Sequence, residues 1–180
     1  MSNATKPRQQ LANRVTLDEV TYSWLVKANR LNLMIDMLNE VAVDMWRPTS
    51  EEQRPAGLKE GEVPSFDLTD WQSPSDCGFS ACAIGHACLD KRFNDLGLKS
   101  PIGLRTPMYQ GVQSWDALQE FFGIAPDDLY FLFDIDEYQS SRKQPSAWAK
   151  PNEYFSPGPS IVAQRIELFL RRLKDNLENA

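Results

Sequence analysis

Between Asp76 and Leu89 the chain reads DCGFSACAIGHACL. This segment holds all three cysteines and the one histidine of the protein. It is also the run richest in small apolar residues. Such a stretch gains little on a surface, so it favours a fold in which larger elements close tightly around it. The strip of Ala81, Cys82 and Gly85 is the main sign of this. A glycine inside a helix costs about 1 kcal/mol against alanine, which suggests a steric need for it.

At 180 residues the chain suits one domain with a full core. Apolar residues make up 42% and charged residues 24%, and there are five Trp and nine Phe. Aromatics in this number stabilise a chain by burial, which argues against disorder. The formal charge of -6, from 19 basic and 25 acidic residues, disfavours nonspecific binding to nucleic acid or to an anionic membrane. No run approaches the roughly 18–20 apolar residues of a membrane span. The stretch 1–13 is polar and lacks the apolar core of a secretory signal. Three cysteines cannot close into a disulfide framework, so the expectation is reduced thiols in a cytoplasm.

Read in order, residues 1–15 are a flexible tail and 16–180 one helical domain. Thr16-Leu17-Asp18-Glu19 matches a capping box. The stretch from there to Trp46 has no Pro or Gly, and its apolar residues recur at steps of three and four. It predicts a long amphipathic helix ended by Pro48. Residues 47–65, with three prolines and two glycines, form an exposed connection. Phe66–Trp71 reads as a short extended or turn segment. The pattern then predicts one buried helix over Ser80–Leu96, with Gly97 as its cap. Residues 98–113 fit a short hairpin or an irregular loop equally well.

Ser114 caps a helix that Gly123 stops, and Pro126 opens another with Asp127 and Asp128 in its first turn. Residues 134–159, with four prolines and Trp148, Tyr154 and Phe155, read as a second long loop. A final helix starts at Ser160. The sum is an all-α bundle of about five helices with long proline-containing loops and at most one minor β-hairpin.

Three chemistries are open to the Cys/His segment. The first is packing alone, with Cys82 and Cys88 as small buried apolar residues and His86 as a hydrogen-bonded core residue. The second is zinc held by Cys77, Cys82 and His86. On a helix Cys82 and His86 share a face, but Cys88 points roughly 240° away at ~100° per residue, so a fourth ligand has to come from elsewhere. The third is a thiol nucleophile, Cys77, at a helix entrance with His86 as its base. Asp76 beside it disfavours thiolate, and His86 lies about two turns along. Asp127, Asp128, Asp134, Asp136 and Glu137 read as a solvated helix end, because they lack the glycine and glutamate spacing of a calcium loop.

Cys77-Gly78-Phe79-Ser80-Ala81-Cys82-Ala83-Ile84-Gly85-His86-Ala87 resembles a CGTxAC-x-x-G-[HW]-A signature of small hypothetical proteins of bacteria, phages and prophages. The likeness takes in Phe66–Trp71, Phe121–Ile124, Leu132–Asp134 and Val162–Ile166, and spans roughly residues 66–173. This chain has Phe79 where that group usually has Thr. His and Trp alternate at the position of His86, so the resemblance implies packing there, and it implies no activity.

The resulting expectation is a non-enzymatic, acidic, cytoplasmic protein, encoded by a phage or other mobile element, that binds or inhibits a protein partner through its loops at 47–75 and 134–159. No cofactor is expected. The alternatives are a thiol enzyme using Cys77 and His86, and a zinc protein using Cys77, Cys82 and His86.

Overall fold

A chain that lacks Gly and Pro and repeats apolar residues at helical spacing forms a helix until something turns it. Here the turn comes earlier than the proline. The computed structural model describes residues 19–48, 58–59, 61–75, 78–101, 104–140 and 157–178. Helix α1 spans Glu19–Ala42, and the Thr16 capping box lies outside the described residues. Asp44 adopts the left-handed conformation with φ of 58°. The amides of Met45 and Trp46 both donate to the Glu40 carbonyl, at 2.9 and 3.1 Å. The chain thereby doubles back before Pro48, burying Trp46 and leaving Met45 75% exposed.

The expected all-α bundle is corrected by two small sheets. Strands β1 (Ser65–Phe66), β2 (Gln72–Ser75) and β3 (Gly78–Ala81) form one of them, in the order β1-β3-β2. β1 runs parallel to β3, with Ser65 opposite Ser80, and β2 runs antiparallel, with Ser73 opposite the same residue. These strands are two to four residues long, too short to show a period of two in the sequence. Pro74 is tolerated because β2 is an edge strand. The start of the predicted Ser80–Leu96 helix is therefore strand. The rest is two helices, α2 (Ala83–Leu89) and α3 (Lys91–Asp95). Asp90 separates them in an extended conformation, with φ of -92° and ψ of 127°.

The second sheet is a hairpin of β4 (Met108–Tyr109) and β5 (Val112–Gln113). Its turn residues Gln110 and Gly111 both have positive φ, 50° and 86°, as a two-residue turn matched to strand twist requires. Helix α4 (Ser114–Phe122) follows directly. Ser114 is its first residue and not its cap; Gln113 holds the cap position without a side-chain hydrogen bond. Gly123 ends α4 in the left-handed region. Helix α5 (Pro126–Phe133) carries Pro at its start, and Asp127 and Asp128 in its first turn. Helix α6 (Ile135–Ser140) occupies the start of what reads as a loop in the sequence, and α7 spans Pro159–Glu178. Trp148, Tyr154 and Phe155 lie outside the described residues.

α1 packs along α7 and also touches α2 and α4. The core takes Leu31, Met34 and Leu38 from α1, Phe121 and Phe122 from α4, Leu132 from α5, and Val162 and Ile166 from α7. Every residue of α2 is buried, so this helix is covered on all sides.

Gly85 explains how it can be covered so closely. The carbonyl of Trp71 lies against its Cα, and an added Cβ would run into that oxygen and crowd Ala81. The Gly85 carbonyl in turn accepts a bond from Gln72 Nε2 at 3.1 Å. The steric need is real, but the neighbour is the bend at Trp71 leading into β2 and not a second helix. Gly85→Ala is expected to destabilise the protein by about 3 kcal/mol, the upper end of overpacking. Gly158→Ala, with open space around it, is expected to stay within about 1 kcal/mol. Urea unfolding midpoints measure both.

Candidate functional site

The junction of β3 and α2 puts Cys82 at the start of a helix, outside its regular turns. Its backbone is extended, and its Sγ accepts the Gly85 amide at 3.4 Å. Sulfur is a weak acceptor beside the oxygens that usually fill this position. The Cys82 amide donates to the carbonyls of Asp70 and Trp71, at 3.1 and 3.3 Å. Cys82 is thus tied down by backbone and side chain together. Burial pushes its thiol up from 9.0 to about 11, with the Gly85 amide opposing. Cys88 is equally enclosed, and burial pushes it up to about 12 despite the nearby Ser100 hydroxyl. Neither thiol is in a disulfide. Cys77 lies outside the described residues, so the pairing of Cys77 with His86, and its place in a zinc set, lie there too.

His86 is fully buried. Its Nδ1 sits 3.0 Å from the Cys82 carbonyl, and its Nε2 sits 3.2 Å from the Pro64 carbonyl. Trp46 meets the ring edge-on at 4.9 Å, and Phe66 lies tilted against it at 5.6 Å. Both ring nitrogens therefore face carbonyl oxygens, while the ring's surroundings are aromatic. A neutral imidazole donates to only one of the two. An imidazolium would donate to both, but burial disfavours that charge and lowers the His86 pKa against the pull of the carbonyls. Among the described residues no group of three or more His, Cys, Asp or Glu is placed to hold a metal ion.

A polar chain missed from the sequence adjoins this ring. Trp46 Nε1 donates to Asp90 Oδ2 at 2.9 Å. Asp90 also caps α3 by accepting the Arg92 amide at 2.8 Å. The Arg92 guanidinium contacts Asp90 at 2.6 Å and forks onto both oxygens of Glu40 at 2.8 Å. Asp90 raises the Arg92 pKa, burial opposes it, and Glu40 adds to the rise. This joins the end of α1 to the α2–α3 break. The signal was an aspartate interrupting an apolar helical run just before a basic pair, since aspartate favours an N-cap over a helix interior.

The arrangement can orient, seal and anchor. Its groups hold one another and present no activated nucleophile among the described residues. Among those residues, no helix is long and apolar enough to cross a membrane. No protein-family model, no curated protein and no solved structure matches the chain.

Two outcomes follow for solution measurements. Raising a thiol from 9.0 to about 11 leaves about 100-fold less thiolate near neutrality. Cys82 and Cys88, resolved by peptide mapping, are expected to alkylate with iodoacetamide at least that much more slowly than an unfolded control. Because the folded state holds His86 neutral, its contribution to stability is fully present above about 6.5 and is lost as pH falls below that value. Urea midpoints between pH 7.5 and 5.5 are expected to fall more steeply for the native chain than for His86→Phe, which itself is less stable at pH 7.5.

Proposed function

We propose that the protein acts by binding another protein and carries out no catalysis. The observation that carries this reading is the burial of its described thiols and its imidazole, all engaged in packing with protonation states turned away from reactivity. The net charge of -6 favours a partner with a basic face. The likeness to small bacterial, phage and prophage proteins is consistent with a cytoplasmic product of a mobile element that binds or inhibits a host protein. The contact surface lies on the stretches 47–75 and 134–159, whose described inner ends are brought close by the fold.

The test is reconstitution of a complex from two purified components, after capture of the partner by the full chain. A fixed stoichiometry is expected, with a dissociation constant on the order of 1 µM or tighter that weakens as salt rises. Amides in 63–71 and 133–138 are expected to gain protection from hydrogen exchange in that complex. A chain that stays monomeric in every reconstitution, yet turns over a small molecule, would overturn the reading.

A further inference from the structure

Leu68–Trp71 and Phe133–Ile135 face each other across a pocket of about 230 Å³, also lined by Cys82 and Trp115. That is below the ~300–1,000 Å³ of sites for drug-sized ligands and suits a single side chain. Two carboxylates line it. Asp134 commits Oδ1 to the Asp136 amide at 2.8 Å, and its second oxygen has no partner among the described residues. Among the described residues no side chain pairs with the Asp70 carboxylate. Three of its lining residues, Trp71, Trp115 and Phe133, are aromatic; the Trp71 and Trp115 ring centroids are 4.9 Å apart, and Tyr130 backs Trp115 at 4.7 Å.

Carboxylates and aromatic faces share one preference, for a cation. A guanidinium satisfies both at once, because it lies flat on a ring and forks onto a carboxylate. The chain already seats one guanidinium on an aromatic ring, with a backbone carbonyl in place of the carboxylate. Arg165 lies 3.3 Å over the Tyr138 ring and donates to the Phe131 carbonyl at 2.7 Å. The backbone on one side of the pocket is tied down, since the carbonyls of Asp70 and Trp71 accept the Cys82 amide. That removes the ordering of this backbone from the cost of binding.

We propose that this pocket receives an arginine side chain from a basic segment of the protein partner. The proposal rests on the partner-binding reading above and names the contact that reading lacks. The site reads charge and planarity together, so lysine binds more weakly and an uncharged isostere does not bind.

The probe is acetyl-Gly-Arg-Gly-amide titrated into the full chain, followed by the indole N–H resonances of Trp71 and Trp115. Saturable shifts are expected, with a dissociation constant on the order of 1 mM. The citrulline counterpart, equal in shape but uncharged, is expected to leave both resonances unmoved. Asp70→Asn and Asp134→Asn are each expected to weaken binding by about fivefold or more. Asparagine preserves the turn at 134, and matched urea midpoints confirm that both variants fold. Equal binding of the citrulline peptide, or unchanged affinity in both variants, overturns the site. A reconstituted complex that tolerates both substitutions overturns it as well, while leaving the partner reading intact. Arginine binding with no protein complex in any reconstitution supports the pocket and removes the partner reading.

Discussion

One close approach sets the geometry of the centre. The Trp71 carbonyl rests on the Cα of Gly85, and the same carbonyl accepts the Cys82 amide. Any side chain at Gly85 would hold the segment leading into β2 off the helix. With it would go the Gln72 bond to Gly85 and the antiparallel pairing of β2 with β3. The three-stranded sheet is too small to be stable by itself. It persists because it is anchored to a helix that has nowhere else to go.

Around that anchor the protein places polar groups where apolar ones would be simpler. His86 and Asp90 are both buried, and each is useful only if its partners are present. Asp90 answers the Trp46 indole, the start of α3 and Arg92 together. Removing one partner of such a set costs more than the bond itself, because the remaining group stays desolvated. The arrangement therefore selects one register of α1 against the α2–α3 joint, since Glu40 and Trp46 reach Arg92 and Asp90 only from one turn of the chain. Such a fixed register is what buried, fully partnered charge can supply.

The sequence made the long elements legible. The apolar spacing of α1, the proline and acids that open α5, the glycine stop after α4 and the steric demand at Gly85 all follow from periodicity, end signals or backbone cost. The misreadings share a cause. Ser80 and Ala81 read as helix because a four-residue strand among small residues has no period of its own. The break at Asp90 is made by a side chain capping the next helix, with no Gly or Pro to mark it. Trp46 reads as the last turn of a helix because its burial depends on a left-handed Asp44, which no apolar pattern encodes. At the site, the types of residue were visible in the sequence but not their partners. Most of those partners are backbone carbonyls, from Asp70, Trp71, Pro64 and Cys82, and carbonyls carry no residue identity.

Helix α2 has seven residues, about half the length at which an isolated helix becomes even marginally stable in water. It cannot serve as the seed around which the molecule condenses. Its supports come from distant parts of the chain: His86 meets a carbonyl 22 positions away, and Arg92 meets Glu40 across 52. Loops of that length must close before α2 gains its surroundings. The enclosure of α2 thus depends on contacts made across long stretches of chain, above all the meeting of α1 with the chain around residue 90.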